Sequence, residues 1–146
     1  MEESPITRNI EHMEAGLRAA GCRITRQRKA ILHYLAATNS HPSARQVYGE
    51  ARKEYPALSL ATVYNTLEIL LRLGLLKVLD FQTMDNRHET NLSPHVNLIC
   101  TVCGKIQDFE EKMDVDPEAV KEKAGFAVRD CRMEYYGICA ECAERE

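Results

Sequence analysis

Apolar residues recur every three or four positions in four successive stretches of the first half of the chain, which predicts four helices. Residues suited to helix ends flank these stretches. Thr25, Ser43 and Ser59 are expected N-caps, and Ser43 forms a capping-box pattern with Gln46. Tyr55-Pro56 should end the third helix, because proline disfavours helical geometry at the residue before it. The apolar positions are Ile10, Met13, Leu17 and Ala20; Ile31, Leu32 and Leu35; Val47, Tyr48 and Ala51; and Leu60, Val63, Leu67, Leu70 and Leu71.

The fourth predicted helix has two distinct faces and should end at Gly74. Opposite its apolar stripe lie small, polar and aromatic residues at positions i, i+3, i+4 and i+7, namely Ala61, Tyr64, Asn65 and Glu68. A DNA recognition helix needs such a face, because base edges in the major groove are read by hydrogen bonds and apolar contacts. An ordinary amphipathic helix would show the same pattern, so this helix alone leaves both interpretations open.

The pattern after the fourth helix indicates strands. Residues 75–81 and 87–91 predict two strands around a turn at 82–86, and helices followed by such a hairpin make a winged helix-turn-helix. Residues 91–94 look like a short hinge. Beyond it we predict strands at 96–99 and 106–109, a helix that opens at Asp116-Pro117 and closes at Gly125, and a long strand at 126–136. The sequence therefore predicts an α+β fold, with a winged-helix domain at residues 1–91 and a small α/β domain at residues 92–146.

Composition and charge narrow the class of protein. The chain of 146 residues is 45% hydrophobic and 28% charged, as soluble globular proteins are, and it holds no apolar stretch near 18 residues and no signal-like start. We therefore expect a cytoplasmic protein without a membrane partner. The net charge of −3 is unevenly divided: residues 1–91 carry 12 Lys/Arg against 10 Asp/Glu (+2), and residues 92–146 carry 7 against 12 (−5).

A run of basic residues without any acid lies between Arg18 and Lys29 and also contains Arg23, Arg26 and Arg28. Phosphate contact needs local positive charge rather than a positive chain, so this run is compatible with nucleic-acid binding. A solvated helix face would produce the same run.

Two C-x-x-C pairs carry the clearest chemical signal. Cys100 with Cys103, followed by Gly104, and Cys139 with Cys142 can supply a tetrahedral shell of four thiolates, which suits structural zinc and leaves no open position for catalysis. In a reducing compartment, six cysteines favour metal binding over disulfides. An iron–sulfur or rubredoxin-like iron centre and a thiol-redox switch are the alternatives. The two remaining cysteines, Cys22 and Cys131, have no partner at ligand spacing and are expected to be small buried residues.

Several independent motifs, in order and from about residue 9 onward, resemble the ferric uptake regulator family. They are residues 21–28 (GCRITRQR), 41–44 (HPSA), 61–67 (ATVYNTL), His95 before Cys100-x-x-Cys103-Gly104-Lys105, and Tyr136-Gly137-Ile138-Cys139-x-x-Cys142. The resemblance implies a homodimeric, metal-dependent transcriptional repressor that binds palindromic operators in double-stranded DNA. It also implies that the domain at residues 92–146 is the dimerisation domain.

The resemblance also implies site residues. It places Tyr64 and Asn65 at DNA bases and Arg23 in the minor groove, and the DNA-contacting set is completed by Arg26, Arg28 and Thr62. Asn65, rather than the arginine usual in iron-uptake regulators, resembles the peroxide-sensing branch. The regulatory metal site of that branch maps onto His41, Glu89, His95, Asn97 and Asp108. Glu89 stands where that branch usually has aspartate, and Asn97 where it has a second histidine of the hinge.

The ligand types fit this expectation. Imidazole with carboxylate and carbonyl oxygen is a mixed, fairly hard donor set that suits Fe(II) or Mn(II), unlike the all-thiolate zinc site. His41 belongs to the winged-helix domain and the other ligands lie at or beyond the hinge, so a bound metal should fix one domain against the other. By resemblance, iron(II) in this site would react with hydrogen peroxide, with oxidation of His41 or His95 and release of DNA.

Other functions are weaker predictions. The runner-up is a regulator that responds to the availability of iron or another metal ion without peroxide chemistry. A metalloenzyme is disfavoured because the chain lacks H-E-x-x-H and any nucleophile–base motif. A zinc-ribbon module for protein interaction would not need the basic segment around Arg23. We therefore expect no enzyme.

Overall fold

The computed structural model describes residues 4–80, 85–111 and 116–145. The chain divides into two compact units, Met1–Leu92 and Ser93–Glu146. Within the described residues, no helix combines the length and the apolar character that a membrane span requires.

The described part of the first unit contains helices α1 (Pro5–Ala19), α2 (Arg26–Ala37), α3 (Ala44–Glu54) and α4 (Leu60–Arg72). The predicted caps are confirmed: Thr25 Oγ1 accepts from the Arg28 backbone N–H at 3.2 Å, and Ser59 Oγ from that of Thr62 at 3.1 Å. The capping box is complete. Ser43 Oγ accepts from the Gln46 N–H at 3.2 Å, while Gln46 Oε1 accepts from the Ser43 N–H at 2.8 Å.

These helices enclose one apolar core. The predicted stripes supply it, and their fully buried members are Leu17, Ile31, Leu32, Leu35, Val47, Val63, Leu67 and Leu70. Burial of each such side chain contributes about 1.5–3 kcal/mol. The opposite face of α4 stays exposed at Ala61, Tyr64, Asn65 and Glu68. α4 is therefore fixed by one face while the other remains available for contact.

A two-stranded antiparallel hairpin completes the first unit. β1 (Lys77–Leu79) pairs with β2 (Arg87–Glu89), with Lys77 opposite Glu89. Both strands are shorter than predicted, and the predicted end of the first strand and most of the predicted turn (residues 81–84) lie outside the described residues. Gly74 follows α4 with a φ of +69°, a left-handed conformation that glycine adopts without strain.

The second unit is a small α/β structure. It contains β3 (Val96–Cys100), β4 (Ile106–Phe109), α5 (Pro117–Ala124), β5 (Met133–Gly137) and α6 (Ala140–Ala143). The sheet order is β4-β3-β5, with β3 antiparallel to β4 and parallel to β5, and α5 lies in the crossover between β4 and β5. Asp116 caps α5, and Gly125 ends it with a φ of +64°, as predicted. The α+β fold class is confirmed.

Two predictions for this unit are wrong. The last strand does not begin at Phe126, because β5 pairs with the five residues of β3 and residues 126–132 have no strand partner there. Phe126 is 63% exposed. Cys131, expected in a strand and buried, precedes β5 and is exposed, whereas Cys22 is half-buried and packs against the core of the first unit.

The capping box of α3 provides a test of the first unit. We expect Ser43→Ala and Gln46→Ala each to lower the free energy of unfolding by about 1 kcal/mol, since each leaves a backbone N–H of the helix start without its side-chain partner. The double variant should lose less than the sum, because the two bonds belong to one motif. Urea unfolding followed by helical circular dichroism measures this. An unchanged midpoint in both single variants would contradict it.

Candidate metal centres and nucleic-acid interface

The four cysteines of the two C-x-x-C pairs meet at one end of the second unit's sheet. Cys100 ends β3 and Cys103 lies in the turn after it, while Cys139 follows β5 and Cys142 lies in α6. The parallel register sets Cys100 opposite Gly137, which brings both pairs to the same sheet end. Gly104, with a φ of +75°, lets the first turn close, and its N–H donates to the Cys100 carbonyl oxygen at 3.0 Å.

The sulfur atoms are close enough to share one ion. All four Sγ atoms lie within 4.8 Å of one another, and Cys103 Sγ is 3.8 Å from Cys139 Sγ. The Cys139 backbone N–H also donates to Cys100 Sγ at 3.3 Å. Four sulfurs at these separations match a tetrahedral thiolate shell.

The electrostatics of the cluster call for a cation. Backbone N–H groups of Cys103 and Cys139 lower the pKa of the Cys100 thiol to about 6. Hydrogen bonding to the neighbouring cysteine side chains, Cys139 first, raises the pKa of Cys142 to about 12. One thiolate is therefore favoured, whereas Cys142 is favoured as a thiol that donates to its neighbours, so four thiolates need a divalent cation among them. This site is a structural zinc site, and its four protein ligands leave no position open for substrate.

A second group of donors lies near the start of the same unit. His95 is buried, and its Nε2 is 3.2 Å from Asn97 Oδ1 and 3.5 Å from Asp108 Oδ1. The sheet creates this arrangement, because Asn97 on β3 pairs directly with Asp108 on β4. Three of the predicted ligands of the regulatory metal thus converge through strand register.

The protonation of His95 makes this group suited to a metal. Its Nδ1 is 2.7 Å from the Ser93 carbonyl oxygen, which can only accept, so Nδ1 carries the proton in the neutral ring. Nε2 then presents a lone pair beside the oxygens of Asn97 and Asp108. A backbone carbonyl that fixes the imidazole in this way is the usual support of a metal-bound histidine. The nitrogen and oxygen donors fit Fe(II) or Mn(II).

The other two predicted ligands form a pair in the first unit. The expectation that Glu89 lies at or beyond the hinge is wrong, because it is the last residue of β2. His41 Nε2 lies 3.4 Å from Glu89 Oε2, and their side chains are 3% and 5% exposed. His41 has a φ of +54°, a conformation that non-glycine residues rarely adopt. Such a backbone persists only where the surroundings hold it, and it is most common at functional sites.

Strand β2 holds the His41 backbone in place. Arg87 donates from Nε to the His41 carbonyl oxygen and from Nη2 to that of Ser40 at 3.1 Å. His88 donates to the Pro42 carbonyl oxygen from its backbone N–H at 2.9 Å and from Nδ1 at 3.0 Å. Burial lowers the pKa of His88, which favours the neutral ring. Sequence reasoning did not assign these roles to Arg87 and His88, although both directly precede Glu89.

The residues expected to contact DNA lie on the first unit. Arg23 is in the loop between α1 and α2, Arg26 and Arg28 are in the first turn of α2, and Thr62, Tyr64 and Asn65 are in the first half of α4. An open depression of about 730 Å³ brings together Arg23, Arg28, Thr62 and Asn65. Tyr64 lies outside it, 52% exposed, and lines a groove beside β1 and β2. Their DNA contacts remain a prediction.

A helical unit that ends in a two-stranded wing, followed by a unit with a four-cysteine zinc site, defines the chain as a winged-helix metalloregulator. The chain belongs to the ferric uptake regulator family, which it matches over residues 19–136. The resemblance noted in the motifs is thereby confirmed.

Several relatives of known structure or function are similar to this chain. The peroxide-responsive repressor PerR of Staphylococcus epidermidis is 38% identical over 144 residues, which cover 98% of this chain and 96% of that protein. The structure of PerR from Streptococcus pyogenes is 36% identical, with a TM-score of 0.52 and 92% of each chain covered. The ferric uptake regulator Fur of Helicobacter pylori, 23% identical, shares the fold with a TM-score of 0.74 over 98% of this chain and 97% of its own.

Zinc content tests the assignment of the cysteines. We expect the purified protein to hold one tightly bound zinc ion per chain. Cys103→Ser should lose this ion, and the second unit should then unfold or the dimer dissociate, because metal binding contributes directly to folding. Cys131→Ser is the matched control and should keep its zinc, since this exposed thiol is not a member of the cluster. Elemental analysis with size-exclusion chromatography gives both readouts. Full zinc content in Cys103→Ser would contradict the assignment.

Proposed function

We propose that this chain is a metal-dependent repressor of transcription that binds operator DNA as a homodimer and leaves it when peroxide is present. The convergence of the His95 imidazole with the Asn97 and Asp108 oxygens carries this proposal, because it is a buried donor set for an exchangeable, fairly hard ion. Peroxide-responsive repressors at 38% and 36% identity, aligned over nearly the whole chain, support it. The proposed place of action is the cytoplasm.

The regulatory ion, Fe(II) or Mn(II), would be held by residues of both units. Its proposed ligands are His41 and Glu89 from the first unit and His95, Asn97 and Asp108 from the second. An ion with ligands on both sides of the hinge fixes one unit against the other. In a dimer this would set the two recognition helices about 34 Å apart, one turn of DNA. Metal and operator would then strengthen each other's binding by the same factor.

DNA contact is proposed for two kinds of residues. The arginines at 23, 26 and 28 supply positive charge for the phosphate backbone, and Arg23 would enter the minor groove. Thr62, Tyr64 and Asn65 lie at the exposed start of α4, where a recognition helix meets base edges. The operator would be palindromic because a two-fold dimer presents the same face twice.

Peroxide would act through the ligating histidines. Iron(II), held by these residues, would supply one-electron chemistry with peroxide. One oxygen atom of hydrogen peroxide is added to the imidazole ring of His41 or His95, and the other leaves as water. The oxidised ring is a poorer ligand, so the hold between the units weakens and the operator is released.

A second candidate is a regulator of metal availability without peroxide chemistry. The observation that favours it is Asn97, which places an amide oxygen beside His95 where the resemblance led us to expect an imidazole. Fewer imidazole ligands would change which ion is held and how tightly. Operator binding titrated with iron, manganese, zinc and nickel, with and without peroxide, separates the two candidates.

Removal of the His41 imidazole tests whether the regulatory ion is held by the first unit as proposed. We expect His41→Ala to keep its structural zinc yet lose at least about tenfold in metal-dependent operator affinity, because one ligand of the regulatory ion is gone. His33→Ala is the control: this histidine pairs with Glu54 on the surface of the same unit and should leave affinity unchanged. Full metal-dependent affinity in His41→Ala would exclude His41 as a ligand.

Mass spectrometry tests the peroxide step. After peroxide treatment of the iron-loaded protein, we expect the mass of one added oxygen on the peptide containing His41 or His95, together with release of operator. The manganese-loaded protein is the control and should stay unmodified, because peroxide activation requires a metal that gives up an electron readily. Release of operator with both histidines unmodified would contradict the proposed oxidation of a ligand.

A further inference from the structure

Arg28 connects three parts of the DNA-facing surface of the first unit. Its Nη1 donates to the Arg23 carbonyl oxygen at 2.8 Å, in the loop before α2. Its Nη2 donates to Asn65 Oδ1 at 3.2 Å, on the exposed face of α4. Arg28 is half-buried, whereas Arg23 and Asn65 are exposed. Two of its guanidinium nitrogens are therefore occupied by acceptors of the protein itself.

This contact fixes which way the Asn65 amide points. A guanidinium group has only donors, so the atom of Asn65 that faces it must be the carbonyl oxygen. The NH₂ group of the same amide then points away from Arg28. Chemistry alone determines the orientation here, which is seldom so for an exposed asparagine.

We propose that Arg28 is a positioning residue that sets the base preference of the recognition helix, by holding Asn65 so that it offers N–H donors and no acceptor to DNA. This inference rests on the proposed function, because it assumes that α4 enters the major groove. It gives Arg28 a role beyond phosphate contact.

The pattern of groups in the major groove turns this orientation into a preference. Guanine presents two acceptors, N7 and O6, and thymine presents O4, so an amide NH₂ can donate to either. Adenine presents one acceptor, N7, beside an N6 amino group that only donates. The two-bond pairing of asparagine with adenine needs the amide oxygen to accept from the adenine N6 amino group. Arg28 holds that oxygen toward its own guanidinium group, so the outward NH₂ would meet the adenine N6 amino group, donor against donor. The Asn65 position should therefore select guanine or thymine and discriminate against adenine.

Replacing the NH₂ group of Asn65 by an oxygen should invert the base preference at this position. Asn65→Asp keeps an oxygen for Arg28 to bind but replaces the outward NH₂ by a second acceptor. An outward acceptor fits the amino groups of cytosine N4 or adenine N6. Arg28→Met has a different effect: it frees the amide to rotate, so that adenine becomes acceptable through the two-bond pairing.

The test is selection of duplexes from a randomised pool by the full-length, metal-loaded dimer, followed by affinity measurements on single-base variants of the selected site. For the wild-type protein we expect one position in each half-site that prefers guanine or thymine over adenine by about tenfold, the size typical of a base contact. Arg28→Met should reduce this ratio to about threefold or less, with the other positions unchanged. Asn65→Asp should prefer cytosine or adenine there.

Two controls separate positioning from general loss of binding. Lys29→Met removes an exposed positive charge next to Arg28 and should weaken all sequences equally while lowering the salt dependence by about one unit. Asn65→Ala should abolish the preference at this position, and Arg28→Met added to it should cause no further loss of preference. If Arg28→Met folds poorly, by zinc content and circular dichroism, the wild-type preference still tests the orientation, because a freely rotating Asn65 amide would accept adenine through the two-bond pairing.

The outcomes distinguish this inference from the proposed function. If wild-type protein selects a sequence and Arg28→Met keeps the full preference against adenine, the positioning role is wrong and the repressor function stands. A wild-type preference for adenine at the Asn65 position, or an unchanged preference in Asn65→Asp, would also overturn it. If the metal-loaded protein selects no sequence at all, the proposed function itself fails.

Discussion

Hydrogen-bond acceptors that face one another at close range are stable only when a proton or a metal ion lies among them, and this constraint governs both donor groups of the second unit. Four sulfurs converge at the end of the β3–β5 pair, and the His95 nitrogen converges with the Asn97 and Asp108 oxygens where β3 meets β4. Strand register places part of each group, at Cys100 and at the Asn97–Asp108 pair, and residues flanking the strands supply the rest. The sheet of the second unit thus brings together two donor sets of different hardness.

The two donor sets differ in hardness, and this difference separates a permanently bound metal ion from an exchangeable one. Thiolates hold zinc in a closed shell that needs no further ligand, so this ion acts as part of the fold. Imidazole, carboxylate and amide oxygens hold Fe(II) or Mn(II) more loosely. The strained His41 backbone is held by Arg87 and His88 of β2, which suits the ligand role that we propose for His41. One protein can thus keep one metal ion as part of its fold and bind or release the other as a regulatory signal.

Sequence reasoning succeeded where structure is decided locally. The N-caps at Thr25, Ser43 and Ser59 depend on neighbours three residues away, and the C-x-x-C spacing carries its own geometry. It failed for the last strand, whose start is set by the length of its partner β3, and for the burial of Cys131. The left-handed backbone of His41 was also beyond its reach, because the contacts that hold this segment come from residues 46 positions away. The Arg28–Asn65 contact spans 37 positions and leaves no local pattern either.

The proposed binding of one regulatory ion by both units is tested most directly by pulsed electron paramagnetic resonance of the manganese-loaded protein. This method detects the nitrogen nuclei of bound imidazoles. If one ion takes ligands from both units, the spectrum should contain imidazole couplings from His41 and from His95, and each single alanine variant should lose one of them. A wild-type spectrum that His41→Ala leaves unchanged would contradict the account, because the first unit would then contribute no imidazole to the ion.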